Sequence, residues 1–197
     1  MGRSPRHFVA GGIYHVYSRG SNRQAIFTFD SDRFEFLYCL ERAVARAGAT
    51  CLAYCLMSNH YHLVLETHDG ELSSLMQSLN GGYANRFNRH HERDAHLFRN
   101  RFGSVHQETH EQFTWTLRYV AMNPVSSGMC ADPAEWRWSS YRHTIGLEPA
   151  PAFLSVARLL SFFGDTAESA MSLFRASVTA RQVSDTEGEP PPRLGSR

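Results

Sequence analysis

The chain has 197 residues, of which 42% are hydrophobic, and a formal net charge of +1. That length suits one domain with short additions and a core that needs neither disulfides nor a structural metal. Three things are excluded or disfavoured. No apolar run reaches the roughly 18 residues of a membrane span. The opening residues carry Arg3 and Arg6 but no apolar stretch of a secretory signal. The cysteines at 39, 51, 55 and 130 lack C-x-x-C spacing and read as reduced thiols of a cytoplasmic protein.

In chain order, residues 12–19 (GIYHVYSR) form a β-type run rich in aromatic and β-branched side chains. Residues 31–48 predict a helix: Ser31 can cap it, Phe34, Leu37, Leu40 and Val44 recur at helical spacing, and Gly48 ends it. Residues 50–58 predict a strand with Cys51, Ala53, Cys55 and Met57 on one face and Leu52, Tyr54 and Leu56 on the other. A turn at Ser58 and Asn59 leads into 60–67 (HYHLVLET), so the two runs predict a β-hairpin. Residues 71–91 predict a helix with Leu72, Leu75, Met76 and Leu79 on one face. Gly81 and Gly82 interrupt it, each at a cost of roughly 1 kcal/mol against Ala, and suggest a kink.

Residues 102–108 predict a strand, after which Thr109 and Gln112 fit a capping box. The helix so opened carries Phe113, Leu117, Tyr119 and Val120, with Asn123 and Pro124 near its end. An aromatic-rich segment at 136–146 and one or two small helices within 156–178 follow, and no internal repeat is present. From Ser184 the chain is polar with three consecutive prolines, and 184–197 reads as a disordered tail. The order β-α-β-β-α-β-α predicts an α+β fold: an antiparallel sheet with helices packed on it, of the split βαβ, ferredoxin-like type, plus small C-terminal helices.

Two constellations carry candidate chemistry. His60 and His62 lie two apart on a predicted strand, so both imidazoles face the same way, roughly 7 Å apart at Cα. Two such rings can converge on one cation, although with 11 histidines in the chain an H-x-H pattern is weak evidence alone. Tyr119 and Asn123 lie four apart on a helix and therefore share a face. By themselves they read as a core-edge tyrosine and an asparagine near a helix end before proline. The arginines cluster as well. Arg3, Arg6, Arg19 and Arg23 stand in an opening stretch of 29 residues without an acid, and Arg86, Arg89, Arg93, Arg99 and Arg101 form a second group. There is no lysine. Codon bias explains that pattern as well as a nucleic-acid surface does. The run HQETH at 106–110 superficially resembles the zinc-protease helix H-E-x-x-H, but its glutamate is one position off.

The run MSNHYHLVLE at 57–66 resembles the histidine-hydrophobic-histidine ("HUH") motif of single-tyrosine transposases. The run LRYVAMNPV at 117–125 resembles their nucleophile helix. YHVYSRGSNRQAIF at 14–27, HLFRNRFGS at 96–104 and WRWSSYRHTIG at 136–146 agree in order. The chain is identified as a member of the REP-associated tyrosine transposases, over about residues 5–147. The resemblance implies that His60, His62 and Asn123 bind a divalent metal, Mg²⁺ or Mn²⁺, and that Tyr119 attacks the scissile phosphate. It also implies that Arg19, Arg23, Arg99 and Arg101 lie near DNA. The implied substrate is single-stranded DNA beside a hairpin folded from a palindromic repeat, cut and rejoined through a 5′-phosphotyrosine. The implied protein is a monomer without a membrane segment. Its transposase domain spans 1–147, with a helical extension over 148–183. Gly103 departs from the pattern, which often has a lysine there. A DNA- or RNA-binding protein that lost cleavage and a replication-initiating nickase are the competing readings.

Overall fold

The computed structural model describes residues 8–180. Arg3, Arg6 and the predicted tail at 184–197 lie outside the described residues. The predicted element order is the observed one: β1 (Ile13–Arg19), α1 (Asp30–Ala47), β2 (Thr50–Leu56), β3 (His60–Glu66), α2 (Leu72–His90), β4 (Gly103–His106) and α3 (His110–Ser126). Three shorter helices follow, α4 (Tyr141–Thr144), α5 (Val156–Leu160) and α6 (Ala167–Thr179). The sheet order is β2-β3-β1-β4 and every pairing is antiparallel, which is the split βαβ arrangement.

The sheet separates two cores. On one face α1 and α2 pack over Tyr14, Val16, Leu56, Tyr61, Leu63 and Leu65. On the other, α3, α5 and α6 cover Ala53, Cys55, Met57 and Val64. Period-2 alternation does this sorting, and it fails in one place. A bulge between Cys51 and Ala53 shifts the β2 register. Cys51 therefore joins Tyr54 and Leu56 in the first core, and Leu52 joins Ala53 and Cys55 in the second. The simple alternation predicted for this strand is corrected accordingly.

Two further expectations are corrected. The cap of α1 is not Ser31: the Asp32 carboxylate accepts the amides of Thr28 and Phe29 at 2.8 and 2.9 Å, which also places an anion at the helix N-terminus. Gly81 and Gly82 do not break α2, which runs unbroken through both. Other signals were followed. Gly48 ends α1 in the left-handed conformation at φ 58°, and the Thr109 hydroxyl accepts from the Gln112 amide at 3.1 Å. The region after α3 is bound tightly to the sheet domain. Arg158 on α5 donates two hydrogen bonds to Glu66 at the end of β3, at 2.7 and 2.9 Å. Arg118 on α3 donates to the carbonyls of Ser177 and Val178 at the end of α6.

Candidate active site

The sheet face beneath α3 gathers the predicted chemistry. β1 and β3 pair so that Arg19 stands opposite His60 and Tyr17 opposite His62. Side chains at 15, 17 and 19 share that face with 60 and 62. Tyr119 and Asn123, one turn apart on α3, come down onto it. The Tyr119 ring stands edge-on to His62 at 5.2 Å between centroids and to His15 at 5.9 Å. Its other flank stacks on Trp115 at 5.5 Å.

Asn123 links the two imidazoles. His60 Nε2 is 3.3 Å from Asn123 Oδ1, and Asn123 Nδ2 is 3.4 Å from His62 Nε2. The opposite nitrogen of each ring is also held. Asn59 donates through Nδ2 to the Arg23 carbonyl at 3.0 Å, which leaves its Oδ1 facing His60 Nδ1 at 2.7 Å. His60 therefore carries its proton on Nδ1 and donates it to Asn59. Its Nε2 then presents a lone pair toward the Asn123 oxygen, another lone-pair donor. Two lone pairs facing each other at 3.3 Å are relieved by a cation that both can ligate. His62 Nδ1 is 2.9 Å from Nε2 of His15, a residue only 2% exposed. With His62 donating from Nδ1 to His15, its Nε2 carries a lone pair, which faces the Asn123 Nδ2. Among the described residues no set of three or more His, Cys, Asp or Glu side chains could hold a metal. The two imidazoles and the Asn123 amide oxygen are the groups here that could hold one.

Electrostatics agree with neutral ligands. Burial lowers the pKa of His15 and of His60 to about 4, with the Arg19 charge lowering His60 further. Burial, together with His15, His60 and Arg19, holds His62 well below its ordinary value. Burial raises the Tyr119 hydroxyl, opposed by its hydrogen bond to Asn123 and by the Arg19 charge. Both rings are enclosed beneath α3: His62 is 0% exposed and His60 9%.

This burial predicts a pH dependence of folding. The unfolded chain protonates its histidines at about 6.5, whereas the native state keeps His15 and His60 neutral down to about 4. The stability is therefore complete above pH 6.5 and is lost as pH falls toward 4. At pH 5 the loss is roughly 2 kcal/mol for each of the two groups. Denaturant unfolding of the metal-free protein at pH 7 and pH 5 checks this, and a flat profile between them contradicts it.

Of the predicted site residues, the structure brings His60, His62, Tyr119, Asn123 and Arg19 together. Arg23 contributes its backbone carbonyl to Asn59. Arg99 meets the site's edge through its backbone amide, which donates to the Arg19 carbonyl at 3.0 Å. Arg101 lies further along, where the chain leads into β4. His15, Asn59 and Tyr17 were missed. For His15 and Tyr17 the one sequence signal was parity, since 15, 17 and 19 alternate on one face of β1; Asn59, in the turn before β3, had none.

An antiparallel split βαβ sheet of this kind is shared with a solved REP-associated tyrosine transposase, at a TM-score of 0.63 and 14% identity, over 79% of this chain and 92% of that one. That structure is described as bound to a REP hairpin. The chain belongs to the IS200-like transposase family, whose profile matches residues 8–123, and DNA transposition is the activity of that family. A candidate transposase from Deinococcus radiodurans R1 aligns at a TM-score of 0.43 and 15% identity, over 65% of this chain and 98% of that one. No curated protein matches the chain. No helix among the described residues is long and apolar enough to cross a membrane.

Proposed function

We propose that this transposase cuts and rejoins single-stranded DNA beside a hairpin, with Tyr119 as nucleophile and His60, His62 and Asn123 as ligands of a divalent metal, Mg²⁺ or Mn²⁺. The observation that carries the reading is the Asn123 amide within hydrogen-bonding distance of both histidine Nε2 atoms, one turn from Tyr119. The cation would supply positive charge to a non-bridging phosphate oxygen. Tyr119 then bonds through its hydroxyl oxygen to phosphorus while the bond to the 3′ oxygen breaks. The phenol proton is lost and the departing 3′ oxygen gains one. The products are a 5′-phosphotyrosine and a free 3′-hydroxyl. One phosphodiester replaces another, so rejoining is the reverse step and needs no nucleotide cofactor.

Burial disfavours a charged Tyr119, so attack is favoured only once positive charge sits at the phosphate. Arg19, facing the site from β1, supplies part of it. Arg23, Arg99 and Arg101 extend a basic track along the backbone of the strand. The protein acts as a monomer, in the cytoplasm where its DNA is, with residues 1–147 as the cutting domain and 148–183 as an extension, of which α6 packs on α3.

The hairpin substrate follows from the enclosed site. The scissile phosphate must enter between α3 and the sheet, and a flexible strand bends there cheaply. Smooth bending of duplex over a short site costs on the order of several kcal/mol. The expected result is cleavage of a labelled hairpin with a single-stranded flank and little or none of a continuous duplex of the same sequence. Equal cutting of the two would overturn the substrate assignment.

A further inference from the structure

A cleft of about 500 Å³ lies on the other face of the sheet, between α2 and residues 98–102. Its volume falls within the roughly 300–1,000 Å³ range of small-molecule sites. One stripe of α2 lines it, Gln77, Asn80 and Gly81, which helical spacing places side by side. Phe98, Asn100 and Arg101 face them.

Two observations indicate a ligand. First, the polar groups here are uncommitted. The Asn80 Oδ1 accepts the Tyr61 hydroxyl at 2.6 Å, which fixes the amide and leaves its Nδ2 protons to donate elsewhere. The side chains of Gln77, Asn100 and Arg101 make no hydrogen bond among the described residues. Second, Gly81 has no packing reason to be glycine. Its φ is not positive, and a Cβ added to it meets nothing within 4 Å. The helix bears the glycine's cost of about 1 kcal/mol without an internal return. The space that its missing side chain leaves open is the cleft.

We propose that this cleft is a nucleobase pocket, taking one unpaired base of the single-stranded flank with Arg101 on the adjoining phosphate. The inference rests on the reading of the protein as acting on single-stranded DNA. Amides offer the paired donors and acceptors that a base edge requires. Phe98 offers an aromatic face for stacking. No acidic side chain lines the cleft to repel phosphate. Its position suits the strand's path: the Arg99 amide bonds the Arg19 carbonyl, and Arg19 stands opposite His60 where β1 ends and β3 begins. A strand anchored in the pocket would pass that end of the sheet to reach Tyr119.

The test measures binding of a hairpin with a single-stranded flank in metal-free buffer, with an abasic site moved along the flank. One abasic position is expected to weaken wild-type binding by roughly 5- to 150-fold, the loss for one stacked base. Gly81→Leu fills the cleft with a good helix former. It is expected to weaken binding of intact DNA by a similar factor and to reduce the abasic penalty to below twofold, since the two losses are one. Gly81→Ala raises the unfolding midpoint by about 2–4 °C while weakening binding, opposite signs that misfolding cannot produce. Wild-type binding of the hairpin with full affinity retained by Gly81→Leu overturns the pocket alone. No binding of hairpin DNA by wild type overturns the functional reading and the pocket with it.

Discussion

Tyr119→Phe is expected to abolish cleavage, by a factor on the order of 10⁴ or more, while hairpin binding stays within about twofold. Only the hydroxyl oxygen reacts. The ring keeps its stack on Trp115 at 5.5 Å and its edge contact with His62 at 5.2 Å, so the fold loses nothing but the bond to Asn123. Covalent protein–DNA adducts resolved on a denaturing gel give the readout. An adduct formed by Tyr119→Phe at the normal rate would move the nucleophile elsewhere. Tyr17, on the same sheet face with its ring 6.2 Å from that of His62, would be the first place to look.

The histidine pair is expected to divide metal binding from folding. Both His60→Ala and His62→Ala should lower Mn²⁺ affinity, read by calorimetry, by more than the roughly 10- to 100-fold that outer partners of a metal cost. Their effects on stability should differ. His62 is fully enclosed and holds His15 at 2.9 Å. Its removal leaves a cavity and an imidazole without its partner, at about 2–4 kcal/mol. His60 is less enclosed than His62, at 9% exposure, and bonds the side chain of Asn59, its chain neighbour, so its loss should cost less, under about 1.5 kcal/mol. Asn123→Ala should be milder than either for the metal, because water can replace an amide oxygen. Unchanged Mn²⁺ affinity in both histidine variants would place the metal elsewhere.

The order of elements was legible because each carries its own signal: alternation at 12–19, helical spacing at 31–48, a cap at Thr109. The face shared by His60 and His62 was legible for the same reason, since strand parity is local. What surrounds them was not. His15 reaches His62 only through the register of β1 against β3, a pairing across 47 residues that no window of sequence displays. Nor does parity tell which face of a sheet a helix will cover, so the burial of both histidines under α3 could not be read from their spacing. The bulge at Leu52 and the Asp32 cap fail the same test: both are local in geometry, yet chosen by tertiary packing. Gly81 and Gly82 were visible as a cost in the sequence, but only the empty space beside Gly81 shows where that cost is spent.

The first strand of the chain is a central strand of the sheet, flanked by β3 and β4. Of its two neighbours β3 follows at His60–Glu66 and β4 only at Gly103–His106, and Tyr119 comes later still. A chain emerging from the ribosome can pair β1 with β3 once residue 66 is made but leaves the other side of β1 open until β4 follows, and long-range pairing of this kind is slow to close. Neither half of the molecule has a working site: the N-terminal half holds the histidines and their β1 buttress without Tyr119 and Asn123, and the tyrosine lacks its floor without β3. Cutting competence should thus arrive in one step with the completed domain. Fragments broken from it by proteolysis should be inert toward DNA rather than partly active.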